Sequence, residues 1–372
     1  MIADLQAWPD AVEFAVAWNV TPRLAAQITH LDVRIPESTA FHLKRRFVAA
    51  YSHSAFVASK GISAVQQLEA RGIRVAAFKG LASMAQLHPG PKGRLMNDVD
   101  LIVTKKDLDR AVSCLEENGF RRDMDGLVSR YDDLVAHLPA FAGNQALTMH
   151  GPGSSEIDLH WAVGKGLDTA AILDRAEVAQ LWAHRFSVVS MEDGALLSVR
   201  HAIREDLQVE GACRDLIDTK LRFADLARKG RLRLLAERAA AAGLVPALLA
   251  IATIITDYDP QPDSAGCLGG IGSARDRRLS TRLVELFRVQ LREGPLGKDL
   301  VYLVHRAPFR QVISGLTMDA RGYRRLVREF EIRLRGRPVP WLQRLTALTK
   351  SVCKLRPRHF RAIRALAKAK YD

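Results

Sequence analysis

Acidic residues are nearly absent from the end of this chain. From Arg321 to Asp372, sixteen Lys or Arg face only Glu329, Glu331 and Asp372, so this segment carries +13 of the formal net charge of +14. Everything before it is close to neutral. Cysteine is also scarce: Cys114, Cys213, Cys267 and Cys353 lie far apart, with no CxxC pair. That excludes a disulfide framework and a zinc ribbon, and it reads as a reducing compartment. No apolar run reaches the 18 residues of a membrane span; the nearest approach, Ala239 to Ile255, is interrupted by Pro246. The opening MIADLQAWPD has acids where a secretory leader has basic residues, so no signal peptide and a cytoplasmic location are expected. Aromatic side chains are few in the basic segment, which argues against base-by-base reading of RNA there.

What is present suits a sizeable core. Hydrophobic residues make up 48% and charged residues 26% of 372 positions, enough for one large domain or two to three ordinary ones. Residues 1–71 read as helical, with apolar positions at helical spacing through Ala11–Trp18 and Phe41–Phe56. Ser52 to Arg71 reads as one helix that Gly72 ends. Ile73–Phe78 is a short buried strand and Leu81–Leu87 a short helix. A turn-rich loop, His88 to Gly93, leads to a strand containing Asp98 and Asp100. Thr104 and Asp107 form a weak capping box before a helix that ends near Gly119. Arg121–Ala140 has no clear pattern. Gln145–Met149 and Ser155–Trp161 read as antiparallel strands joined across His150-Gly-Pro-Gly153. From Asp168 the pattern is helical almost throughout, broken near Asp257–Gly272. The expected architecture is an α/β (α+β) core with a mixed β-sheet over 72–163. It is flanked by helical regions at 1–71 and 164–320 and by a basic helical tail at 321–372.

The chemistry concentrates in Phe78 to Val103. Alternation along a strand puts Asp98 and Asp100 on one face, with Cα atoms roughly 6.6 Å apart. Two carboxylates so close repel unless a cation lies between them, and they suit a divalent metal. Upstream, Lys79-Gly80 closes an apolar run at the start of a helix, where a glycine and free amides favour close approach of a phosphate. Later, Glu156, Asp158 and His160 share one strand face while Ile157 and Leu159 point to the core. If the strands are neighbours, Asp158 joins Asp98 and Asp100, and three acids at a sheet surface can hold two Mg²⁺. Each feature also has a structural reading. Asp-x-Asp before an apolar run marks many solvated strand entrances, Arg94 can pair with Asp98, and His160 can be a hydrogen-bonded structural histidine. Trp161 reads as core.

Lys79-Gly80, Arg94-x-x-x-Asp98-x-Asp100-Leu-Ile-Val, the helix ending Asn118-Gly119-Phe120, Ile157-Asp158-Leu159-His160-Trp161 and the later Arg214-Asp215-Leu216 carry a resemblance. From about residue 50 to 250 the chain resembles the bacterial nucleotidyltransferase-like family within the polymerase-β nucleotidyltransferase superfamily. The resemblance implies that Asp98 and Asp100 bind metal with Asp158 as third carboxylate, and that the Gly80 turn contacts a nucleoside triphosphate. The superfamily's usual Gly-Gly or Gly-Ser turn reads Lys79-Gly80-Leu81 here, with Ser83 nearby, so a charge replaces hydroxyl contacts.

The implied reaction is Mg²⁺- or Mn²⁺-dependent transfer of a nucleotidyl group from an NTP such as ATP to an acceptor hydroxyl or phosphate. Asp98, Asp100 and Asp158 would be catalytic metal ligands; Lys79, Gly80, Arg94 and His160 would line the nucleotide. Two alternatives stay open: phosphoryl or glycosyl transfer from a nucleotide donor to a peptide or natural product, and a degenerate nucleotide-binding scaffold. The tail 321–372 places Arg and Lys among apolar residues at helical spacing, which suits an anionic acceptor such as RNA, a peptide or a small molecule, or alternatively a solvated helix face.

Overall fold

The computed structural model describes residues 8–17, 20–30, 32–88, 93–122, 144–164, 166–204, 209–258, 268 and 270–293. The basic segment 321–372, most of the 257–272 loop and most of the 121–140 stretch lie outside these residues. Three helices come first: α1 (Trp8–Ala17), α2 (Thr21–His30) and α3 (Glu37–Ala70). The third is a single 34-residue helix that includes the expected 52–71 segment, and Gly72 ends it at φ +66°.

Then follow β1 (Val75–Phe78), α4 (Lys79–Gln86), β2 (Val99–Val103), α5 (Leu108–Glu117), β3 (Arg121–Arg122), β4 (Asn144–His150) and β5 (Glu156–Val163). After α6 (Thr169–Asp174) come β6 (Glu177–Leu181) and β7 (His184–Val188). Four longer helices and one short one complete the described chain: α7 (Met191–Arg204), α8 (Val209–Arg228), α9 (Leu232–Ala241), α10 (Val245–Tyr258) and α11 (Ala274–Glu293).

The seven strands form one mixed sheet in the order β3-β4-β5-β2-β1-β7-β6. Central β2 runs antiparallel to β1 and parallel to β5. Covered on both faces, β1 and β2 are buried at every position, as their near-continuous apolar sequence requires. The expected hairpin is present as β4 and β5. The sheet does not stop at residue 163, however. Within the stretch read as helical, β6 and β7 form a hairpin, and β7 lies parallel to β1 with Ala77 opposite Val188. As an edge strand exposed at most positions, β6 has no apolar alternation to announce it.

Helices α3 and α5 cover one face. Val57, Ile62, Val65 and Leu68 of α3 pack with Val99, Leu101 and Val103 of β2 and with Ile157 and Leu159 of β5. Gly61 lets α3 approach: a Cβ there would meet Val99 side-chain atoms at 2.7 Å. This contact offsets the roughly 1 kcal/mol that a mid-helix glycine costs relative to alanine. On the opposite face, Phe78 and Ile102 pack with Ile172 and Leu173 of α6 and Leu197 of α7. A second core, including Leu196, Phe223, Leu235, Leu248, Ile251 and Phe287, joins α7 to α11. The apolar α10 is the centre of that core. Among the described residues no helix is long and apolar enough to cross a membrane.

Candidate metal centre

Parity along β2 decides which side chains meet. Val99, Leu101 and Val103 are committed to the α3/α5 face, so Asp98, Asp100 and Ile102 fall on the other. In the parallel register of β2 with β5, Asp100 sits directly opposite Asp158, and Ile102 opposite His160. Asp100, Asp158 and His160 each offer a ligand atom, and the three atoms lie within 4.8 Å of one another. Atoms this near one another are close enough to share one ion. Asp98 comes from the same face but is not part of that group; His160 takes the third place. Asp98 still feels its neighbours: burial first, then the charge of Asp100, raises its carboxyl above the ordinary value.

The two acids inside the group are held differently. Thr148, opposite Asp158 in the β4–β5 register, donates its hydroxyl to Asp158 Oδ1 at 2.6 Å. Asp100 is almost fully buried, and its Oδ1 accepts from Lys79 Nζ at 2.6 Å and from His160 Nε2 at 3.0 Å. Burial alone would raise this carboxyl, but the Lys79 charge and the His160 hydrogen bond hold it well below the usual carboxylate range. Lys79 is likewise lowered by burial and raised more by Asp100, and it ends above its ordinary value. Nδ1 of His160 is buried and, among the described residues, has no hydrogen-bond partner. The Phe78 ring meets the imidazole edge-on at 4.9 Å and lies 5.3 Å from the Lys79 ammonium.

The turn that delivers Lys79 is strained. Phe78 is extended, and Lys79, the first residue of α4, follows at φ +49°. A left-handed backbone costs a side-chain-bearing residue about 1–2 kcal/mol, and the buried ion pair to Asp100 opposes that cost. Gly80 has another role in packing: a Cβ there would lie 3.0 Å from Cβ of Met96, in the loop that leads to Asp98.

Arg94 has its ion-pair partner elsewhere. Its Nε donates to Asp218 of α8 at 2.9 Å, and it also donates to the Leu95 carbonyl. His88 Nε2 donates to the other oxygen of Asp218 at 3.3 Å, and Arg23 of α2 reaches His88 Nδ1 at 3.2 Å. Next to them Arg222, fully buried, donates to Ser83 and Gln86 of α4; burial pushes its guanidinium down to about 10. These contacts clamp α8 onto α4. Asp218 and Arg222 do not stand out in sequence, since both lie far from the Asp-x-Asp stretch, and His88 reads only as the start of a turn-rich loop. Thr148 was readable, because the hairpin register places it across from Asp158. Also on α8, Arg214 is lowered by burial first and by Arg94 next, and it senses Asp98.

The family model described as an uncharacterised nucleotidyltransferase matches residues 4–258, and the chain belongs to that family. The match spans α1 through α10, taking in the sheet and the clamped helices and leaving out the basic segment. Among curated proteins none matches the chain. Among solved structures the chain is similar to an antigenic nucleotidyltransferase-like protein from Paracoccidioides brasiliensis. Identity is 15%, the alignment covers 52% of this chain and 91% of that one, and the TM-score is 0.29.

Proposed function

We propose that this protein is a divalent-metal-dependent nucleotidyltransferase, moving a nucleotidyl group from an NTP to an acceptor hydroxyl or phosphate. The observation that carries the reading is the group of Asp100, Asp158 and His160 within 4.8 Å on neighbouring parallel strands of a chain in this family. The residues fit an ion: two carboxylate oxygens and an imidazole are hard-to-borderline donors, and the buried Nδ1 of His160 has no partner among the described residues. Asp100, Asp158 and His160 would hold Mg²⁺ or Mn²⁺, with Asp98 beside them. The ion would supply positive charge to the phosphate oxygens and favour an ionised acceptor.

In this reading the acceptor oxygen attacks the α-phosphorus, the bond from it to the β-phosphate bridging oxygen breaks, and pyrophosphate leaves. Asp158, held in place by Thr148, orients toward the acceptor side, and Lys79 neutralises charge beside Asp100. The Gly80 amide favours the triphosphate, while Arg94, paired with Asp218, holds α8 beside the site. The segment 321–372 attracts an anionic acceptor, so acceptor affinity falls steeply with salt and Arg324, Arg325 and Arg328→Gln flattens that dependence.

The reading is tested by pyrophosphate release from each NTP with Mg²⁺, using the full chain and the Asp158→Asn variant. Release by the wild type, lost with chelator and in the variant, supports it. One observation favours a second reading, a nucleotide-binding scaffold without turnover: an ammonium already occupies one oxygen of Asp100. Thermal stabilisation by an NTP without any pyrophosphate release would favour the scaffold.

A further inference from the structure

Two features of Lys79 bear on how many ions the centre takes. Its backbone takes a conformation that glycine adopts freely and lysine does not, and its ammonium lies 2.6 Å from Asp100 Oδ1 with only 18% of the side chain exposed. A carboxylate that bridges two metal ions spends both of its oxygens. Asp100 has only Oδ2 without a protein donor among the described residues, because Oδ1 already carries the Lys79 ammonium and the His160 imidazole. Asp100, Asp158 and His160 make one coordination set, and the oxygen of Asp100 that a second ion would need is the one the ammonium holds.

We propose that Lys79 is a built-in second cation: the centre takes a single divalent ion among Asp100, Asp158 and His160, and the Lys79 ammonium holds the position and charge of the other. This rests on the metal reading above and sharpens it, because it changes the number of ions the reaction employs. An ammonium cannot leave with pyrophosphate as a nucleotide-borne ion would, so positive charge stays beside Asp98 and Asp100 through every turnover. It also explains a lysine where the turn itself favours glycine. The side chain is retained for its charge, and the ion pair offsets the backbone strain.

The test counts ions. Crystals of the full chain grown with Mn²⁺ and α,β-methylene-ATP are measured at a wavelength where manganese scatters anomalously, beside crystals of Lys79→Gly. Glycine accepts the turn, so the variant is expected to fold; Lys79→Met, which keeps the bulk and loses the charge, serves the same purpose if it does not. One manganese peak in the wild type and a second, next to Asp100 Oδ1, in the variant is the expected result. Two peaks in the wild type overturn the inference and leave the metal reading standing. One peak in both proteins also overturns it, since Lys79 then excludes nothing. No peak in either removes the metal reading, and the inference with it.

Discussion

Asp218 and Asp100 are both buried carboxylates held below the usual range by a neighbouring cation, yet they differ in what is left over. Both oxygens of Asp218 are occupied, one by Arg94 and one by His88. Asp193, nearby in the helical unit, is completed in the same way by Arg175 on both oxygens, with Ser190 and Arg238. Among the described residues Asp100 receives two donors on one oxygen and none on the other, and Nδ1 of the neighbouring His160 has no partner. Buried charge alone therefore does not mark the chemical site, because the junction of α4, α7 and α8 has more of it. What marks the site is the meeting of two acids and a histidine on the sheet face opposite the α3/α5 core; unpartnered buried atoms alone do not mark it, since Arg222 Nε and Thr219 Oγ1 of the junction are among them.

The largest effect expected from this contrast is on stability at the complete cluster. Asp218→Ala leaves the Arg94 guanidinium buried without its counter-charge and should cost about 3–5 kcal/mol, read from denaturant unfolding. The pH dependence has a defined sign. The folded-state carboxyls of Asp218 and Asp100 lie below their unfolded values, near about 3.9. Their stabilisation is thus fully present above that range and is lost progressively as pH falls through and below it. Asp218→Ala should flatten this acid limb, and an unchanged limb would show that Asp218 does not carry it.

An intermediate effect is expected at Thr148. Thr148→Val removes the donor on Asp158 Oδ1 while keeping the β-branched shape, and should weaken Mn²⁺ binding about 10- to 100-fold with little change in unfolding free energy. Equal Mn²⁺ affinity in the two proteins would mean that the hydroxyl does not position Asp158.

The smallest effect on folding is expected at Asp98. Burial and the Asp100 charge raise its carboxyl, so its ionised form is a burden on the metal-free fold. Asp98→Asn should leave apo stability unchanged or slightly higher, opposite in sign to Asp218→Ala, while abolishing turnover. The same shift means that protonating Asp98 favours the folded state as pH falls, against the trend from Asp218. A destabilised Asn variant would place Asp98 among the completed charges.

Much of this arrangement was legible in the sequence because it follows from period-two alternation. Apolar Val99, Leu101 and Val103 fix the faces of β2, and Ile157 and Leu159 fix those of β5. Once the two strands are neighbours, Asp100 and Asp158 meet. The hairpin register likewise hands Thr148 to Asp158. Three things were not legible. The β6–β7 hairpin extends the sheet beyond its expected end, since an exposed edge strand has no core face to pattern it. The partner of Arg94 lies 124 residues away on a helix whose docking no local signal encodes. And the left-handed turn at Lys79 is invisible, because a lysine there contradicts the backbone preference that would have revealed it.

The central claim is that Asp100, Asp158 and His160 form a divalent-metal site, and calorimetric titration of Mn²⁺ into the wild type and Asp158→Asn tests it most directly. Saturable binding by the wild type, reduced beyond detection in the variant while its unfolding midpoint is retained, is the predicted result. Equal affinity in both proteins, or no binding by a folded wild type, would contradict it.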